Sequence, residues 1–412
     1  IKTMSNAELL GSLESIWPTV KGIGGMDVID INTKHIPADE KAFKNRRTLS
    51  MMPSYLNVAF IHEILPENSN WISAHNAGSI SMEEALGDQV VVQRFAGVGT
   101  GEDAERIMEI AIKNGAEVIF TTTAPMLKAC RRVAARHPEV QIFNCSVNMP
   151  YSGIRTYYSR IYEGKFISGA IAGALSSRND IGYIASYPIY GVPAGINAFA
   201  LGARLTNPNA RIHLKWFCQG SDPVKELREQ NIRYISALDI PTPSCTDGQW
   251  GTFRINEQGQ NELIASPYWD WGTFYVQIAR SYLSREWDTS VFGKREKHPV
   301  NYWWGIASGV VGFYLNDHIP DGTKALANLL KEGIRQGTVD PFLRKIVSQD
   351  GVIRNEGQKV FHPKEILQMD WLCNNVIGAV PGFDTLSPKG QAITAFQGIE
   401  KGRIPPGKVH AG

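Results

Sequence analysis

The sequence predicts an α/β protein of two lobes, each a parallel sheet flanked by helices. Three observations carry this. From Leu56 onward, short apolar runs alternate with stretches of helical periodicity, the pattern of repeated βα units. A second series of the same kind starts at Ile181. The chain has 412 residues, which is long enough for two domains.

Taken in order, Ser5 to Ile16 reads as a short helix. Asn6 can cap it, Leu9, Leu10, Leu13 and Ile16 make an apolar stripe, and Trp17-Pro18 ends it. Gly22 to Pro53 is polar and irregular, so positions 1–55 are expected to be an extension that wraps a surface or joins further structure. Strands follow at Leu56 to Ile61, Gln89 to Phe95, Glu117 to Thr122 and Val140 to Cys145. The helices between them are Ser73 to Leu86, Glu102 to Asn114 and Pro125 to Arg136.

Arg155 to Tyr158 is β-rich. Glu163 to Leu175 is a helix whose Gly169, Ala170, Gly173 and Ala174 allow a close neighbour, expected to be a sheet. The second series runs through strand Ile181 to Ser186, helix Pro193 to Thr206, strand Ala210 to Phe217, helix Asp222 to Gln230 and strand Arg233 to Ala237. Thr252 to Ala265 reads as a hairpin turning at Asn256 to Gly259. Trp271 to Leu283 and Thr323 to Arg335 are helical. Beyond Asp340 a hairpin and a helix from Pro363 to Asn374 are expected, with an extended tail from Pro381. The expected division is 1–55 extension, 56–180 lobe 1, 181–265 lobe 2, 266–342 return segments mostly of lobe 1, and 343–412 C-terminal extension.

Composition narrows the function classes. A net charge of +2 gives no electrostatic reason to expect nucleic acid or an acidic membrane surface. The basic stretches Lys41 to Arg47 and Lys294 to Lys297 are short and read as solvated faces. Five cysteines without a CxxC pair suit buried free thiols. No apolar run reaches the roughly 18 residues of a spanning helix, and Ile1 does not open a signal peptide.

No motif makes a positive case for an enzyme, a metal or a cofactor. Gly97 to Gly101 fits neither the dinucleotide fingerprint nor the P-loop, and Thr100 to Asp103 reads better as a helix capping box. His62-Glu63 lacks the second histidine of a zinc motif, and no GxSxG is present.

Several segments in the same order resemble one family. They are Val58-Ala59-Phe60; Trp71, His75 and Gly78; Phe120-Thr121-Thr122; Tyr162 to Phe166 with Gly169, Ala172 and Gly173; Ile181-Gly182-Tyr183; Pro188-Ile189; Gly195 to Phe199 with Gly202-Ala203; Ser266 to Gly272; and Trp304-Gly305 with Gly309 to Val311. Together, from about Leu56 to Phe342, they resemble the basic membrane protein family, the substrate-binding proteins of ABC importers for purine nucleosides and nucleobases. The resemblance implies a two-lobed type I periplasmic-binding-protein fold. It also implies a lipoprotein outside the cytoplasm, associated with the cell membrane, that closes its cleft on a purine and hands it to a membrane permease. A cytosolic sensor or regulator built on the same fold is the alternative, with a cytoplasmic location.

Loops at the carboxyl ends of parallel strands are where such sheets bind ligands. That placement, together with what the resemblance implies, makes Asn70, Trp71, His75, Thr122, Thr123, Tyr187, Asp239 and Trp269 the expected ligand residues. Trp71 offers a stacking face beside polar Ser69 and Asn70. His75 matches a family histidine and suits a structural helix residue equally well. Thr122 and Thr123 end a strand and carry hydroxyls. Tyr187 follows a strand of the second lobe. Asp239 matches the family's ligand-bonding aspartate and can accept from a purine N–H or amino group. Ile72 departs from the family, where asparagine is often found. Trp269 stands where nucleoside-binding relatives often place a ribose-holding lysine, so a free base is expected to bind more tightly than its nucleoside. At Gln219 to Asp222 the aromatic of the nucleoside type is missing, so Tyr187 or Trp269 could replace that wall.

Overall fold

The computed structural model describes residues 28–29, 55–146, 154–284 and 301–399. The helix expected from Ser5 to Ile16 and both basic stretches lie outside the described residues. In chain order the strands are β1 (Val28–Ile29), β2 (Leu56–Ile61), β3 (Val90–Phe95), β4 (Val118–Thr121), β5 (Gln141–Cys145), β6 (Ile154–Ser159), β7 (Asp180–Ala185) and β8 (Arg211–Trp216). They continue as β9 (Tyr234–Ser236), β10 (Thr252–Ile255), β11 (Asn261–Trp269), β12 (Asn301–Trp304), β13 (Val311–Leu315), β14 (Lys345–Val347), β15 (Ile353–Glu356) and β16 (Val376–Ile377). The helices are α1 (Asn70–Leu86), α2 (Glu102–Lys113), α3 (Leu127–Arg136), α4 (Tyr162–Leu175), α5 (Val192–Thr206), α6 (Pro223–Glu229), α7 (Trp271–Leu283), α8 (Asp321–Arg335), α9 (Pro363–Leu367) and α10 (Pro388–Gln397).

The chain divides into two compact units. The first takes positions up to 159, 270–304 and 308–310; the second takes 160–269, 305–307 and everything from 311. The crossing at 159/160 precedes α4, so this helix lies in the second unit, ahead of the boundary expected at 180.

The first unit holds a seven-stranded sheet in the order β1-β12-β6-β5-β4-β2-β3, with every neighbouring pair parallel. Val28–Ile29 of the N-terminal extension supplies an edge strand by pairing with β12. The central strands β2 and β4 are almost wholly buried, as expected of parallel strands covered on both faces. Phe60, Phe120 and Tyr157 from three strands meet Phe274 and Tyr275 of α7. Phe60 lies 5.1 Å from Phe120 and 4.7 Å from Tyr275, and Tyr157 stacks on Phe274 at 4.8 Å. α7 also lies close to α1: a Cβ on Gly78 would come within 2.7 Å of Trp271 Cβ and 2.8 Å of the Gly272 nitrogen.

The second unit holds the order β13-β11-β10-β9-β7-β8-β16. Strands β9, β7, β8 and β16 run parallel. The hairpin β10–β11 and strand β13 add an antiparallel edge. The small-residue face of α4 meets another helix, not a sheet as its sequence suggests. A Cβ on Gly169 would overlap the Phe199 carbonyl of α5, and one on Gly202 would overlap the Phe166 carbonyl of α4. Small residues on both helices bring the two backbones together, so neither helix has an exposed stripe until its last turn.

Three expectations along the chain change. The Thr100 capping box is not formed: Gly101 is the cap position of α2, and Asp103 Oδ2 accepts from the Gly99 N–H at 3.0 Å. The helix expected from Pro363 to Asn374 stops at Leu367. The tail from Pro381 is not extended throughout, because Ser387 caps α10 by accepting from the Gly390 N–H. Residues 371–379 instead lock onto the second unit. Asn197 of α5 donates to the Trp371 carbonyl (2.9 Å) and accepts from the Cys373 N–H (2.8 Å), and β16 joins β8.

Candidate functional site

In the first unit the site is built where β2 and β4 end. Beyond Ile61 the chain makes a short turn, Pro66–Asn68. Ser69 then caps α1, its hydroxyl accepting from the Ile72 N–H at 3.4 Å. This puts half-buried Asn70 and Trp71 in the opening turn of the helix. Trp71 is fixed there: its indole N–H donates to the Thr122 carbonyl at 2.8 Å, and Thr122 follows the end of β4. Its neighbours hold it as well, His75 at 4.8 Å and Trp271 at 5.8 Å in edge contacts and Tyr158 at 6.0 Å in a tilted one. An aromatic ring held in one orientation and only half covered is suited to stacking against a flat ligand.

His75 and Thr122 lie beneath this ring. Both are fully buried. His75 stacks on Trp271 at 4.6 Å, and its Nδ1 is 2.6 Å from the Tyr275 hydroxyl. Burial, with His62 nearby, pushes its pKa well below the ordinary range, so the ring is neutral. The Thr122 hydroxyl donates to the Ile61 carbonyl at 3.2 Å and lies 3.1 Å from His62 Nδ1. These contacts engage His75 Nδ1 and the Thr122 hydroxyl, while His75 Nε2 has no hydrogen-bond partner among the described residues. Thr123 is half-buried, with its carbonyl taken by Asn144 Nδ2 at 2.9 Å. Its hydroxyl makes no hydrogen bond among the described residues.

In the second unit, Tyr187, Asp239 and Trp269 follow or end β7, β9 and β11, three strands that run in one direction. Tyr187 is half-buried, and burial raises its phenol pKa, with Cys218 adding to the effect. Trp269 is the last residue of β11, opposite Val311 and half-buried. Asp239 is buried and forms an ion pair with Lys165 of α4 at 2.6 Å. Burial raises its pKa, and Lys165 opposes that shift. Lys165 Nζ also donates to the Ala237 carbonyl at 3.1 Å and lies 5.3 Å from the centre of the Tyr183 ring.

Sequence reasoning missed Lys165. The available signal is a lone lysine inside Gly164 to Gly173, an otherwise small and apolar helix. A cation buried there needs an anionic partner. A separate cavity of about 320 Å³, lined by Arg354, Phe361, Glu365 and Trp371 among others, includes none of the expected ligand residues. Among the described residues no group of three His, Cys, Asp or Glu side chains could hold a metal ion, and no helix is long and apolar enough to cross a membrane.

Two α/β units of parallel strands flanked by helices, each presenting polar and aromatic groups beyond its strand ends, define a type I periplasmic-binding-like protein. A family model described as ABC transporter substrate-binding protein PnrA-like matches residues 69–245. The chain is 29% identical to a purine-binding protein of Brucella abortus over 72% of its own length and 85% of that protein. It is 27% identical to a putative ABC transporter glucose-binding protein of Haloferax volcanii, over 62% of this chain and 66% of the other. Among solved structures it is similar in fold to a transcriptional activator of the comK gene from Bacillus halodurans (TM-score 0.55, 15% identity, 69% of this chain and 99% of that one). A solute-binding protein of an ABC transporter system from Conexibacter woesei gives a TM-score of 0.52 at 15% identity, covering 69% and 98%. Over residues 69–245 the chain is thus similar to ABC-transporter substrate-binding proteins of the PnrA-like kind. The proteins of that kind bind a small molecule for import through a membrane permease.

Proposed function

We propose that the small molecule is a purine, taken as the free base in preference to the nucleoside and captured by cleft closure outside the cytoplasm. The observation that carries this reading is Trp71, a half-covered indole fixed by the Thr122 carbonyl beside a strand end. A flat heteroaromatic ring is the ligand that such a surface suits. Asp239 adds an acceptor for a ring N–H or an amino group. The likeness to the Brucella protein described as purine-binding supports the same choice. Trp269, in place of a ribose-holding lysine, supports the base over the nucleoside.

Calorimetry with adenine, guanine, hypoxanthine and their nucleosides tests the proposal. Tighter binding of the bases is expected. Tighter binding of the nucleosides would overturn the base preference, and no binding of any of the six would overturn the purine reading itself.

A further inference from the structure

We propose that Lys165 is a positioning residue that holds Asp239 as an ionised, aimed acceptor, so that the site selects ligands presenting N–H donors. The inference rests on the reading of Asp239 as a ligand-binding residue. Three observations support it. First, the Lys165 ammonium lies against one oxygen of the carboxylate, Oδ1, at 2.6 Å. Second, Lys165 is itself fixed, donating to the Ala237 carbonyl at 3.1 Å and lying over the Tyr183 ring at 5.3 Å. Third, Lys165 and Asp239 are 5% and 6% exposed. At that depth a charge without a partner is strongly disfavoured, so the lysine beside it favours the ionised form of Asp239.

A carboxylate is an acceptor only, whereas a carboxylic acid also donates. Holding Asp239 ionised therefore rejects ligand edges that present only acceptors. Lys165 from α4 and Tyr183 from β7 are the titratable groups that act on Asp239 among the described residues. Burial raises the Asp239 pKa, and Lys165 lowers it. Removing Lys165 must therefore raise it further, and affinity that needs the carboxylate will be lost at a higher pH.

The test is adenine affinity between pH 5 and pH 8.5 for the intact chain and for Lys165→Met, Lys165→Arg and Asp239→Asn. In Lys165→Met the fall in affinity on acidification should move to higher pH by at least about one unit, or about tenfold in Kd within that window. Lys165→Arg should restore the original profile, and Asp239→Asn should flatten it. If Lys165→Met folds poorly, the carbon-13 carboxyl titration of Asp239 in Lys165→Arg and in the unaltered chain still reads the carboxylate. An Asp239 carboxyl that titrates at or above neutral pH beside the intact lysine would overturn the inference. So would a Lys165→Met profile that superimposes on the unaltered one. Absence of adenine binding by the unaltered chain would instead strike the purine reading, and the carboxyl titration would still decide whether Lys165 keeps Asp239 ionised.

Discussion

Trp71 and Trp271 lie 5.8 Å apart and have different surroundings. Trp271 is fully buried, whereas Trp71 keeps part of its ring exposed. Base stacking on an aromatic contributes roughly 1–3 kcal/mol. Trp71→Ala should therefore weaken base binding about 5- to 150-fold, by the tenfold-per-1.4 kcal/mol rule. Its unfolding free energy should fall much less than that of Trp271→Ala, which is expected to lose about 3–5 kcal/mol. Ligand titration and urea unfolding of both variants check this. Unchanged affinity with a large loss of stability would make Trp71 a core residue.

A second residue-scale prediction concerns His62. It is fully exposed to neither solvent nor a strong acceptor: burial, and then the charge of Arg94, lower its pKa from 6.5 to about 4. Between those values the unfolded chain binds the proton and the folded chain does not. Stability from His62 is thus present above pH 6.5 and is lost as pH falls toward 4, by up to roughly 3 kcal/mol. Urea midpoints at pH 7 and pH 5 should show the loss, and His62→Phe should reduce the difference between them.

At the scale of elements, α4 and α5 are defined by what their glycines leave out. Gly169 and Gly202 each face a carbonyl oxygen of the opposite helix, so one methyl group on either forces the backbones apart. Gly169→Ala and Gly202→Ala are each expected to destabilise the second unit by about 1–3 kcal/mol, despite the higher helix propensity of alanine. Urea unfolding read by tryptophan fluorescence measures this. A neutral or stabilising effect would show that the helices can separate at little cost. Glycine also makes room in the Trp304-Gly305 segment. A Cβ on Gly305 would overlap the Glu163 carboxylate, whose Oε2 accepts from the Ile306 N–H at 2.7 Å. Glu163 in turn pairs with Arg160 at 3.2 Å, both buried.

At the scale of the molecule, the C-terminal residues belong to the second unit's architecture. Trp216 donates its indole N–H to the Ala379 carbonyl at 2.9 Å, and Asn375 Nδ2 donates to the carbonyls of Ala200 (3.0 Å) and Ala210 (3.3 Å). These bonds tie 375–379 to α5, β8 and the turn between them. Capture by hinge closure, as proposed for this class of fold, makes a prediction for the whole chain. Small-angle scattering with saturating adenine should give a smaller radius of gyration than without it. Superimposable curves at saturation would argue against closure.

The sequence by itself determined the succession of strands and helices from Leu56 to Leu283 and the chain positions that follow strand ends, but it left β12 and β13 unnamed. Both follow from local information: apolar periodicity marks the elements, and parallel strands separated by helices must place their following loops at one end. Trp71, Thr123 and Tyr187 could be placed beyond strand ends for that reason, and Asp239 and Trp269 are named with the help of the family resemblance. The tertiary structure alone decided which of the named groups support others. His75 and Thr122 sit at equally suitable chain positions, yet Tyr275 engages His75 Nδ1 and Ile61 and His62 engage the Thr122 hydroxyl. Those partners are 200, 61 and 60 positions away. Lys165 is 74 positions from Asp239, and neither residue's local pattern points to the other. The tail was misread for a related reason: β16 is two residues long, too short to carry periodicity, and it exists because β8 offers it an edge. Pairing across such distances is decided by the packing of whole elements, which a window of neighbouring residues does not contain.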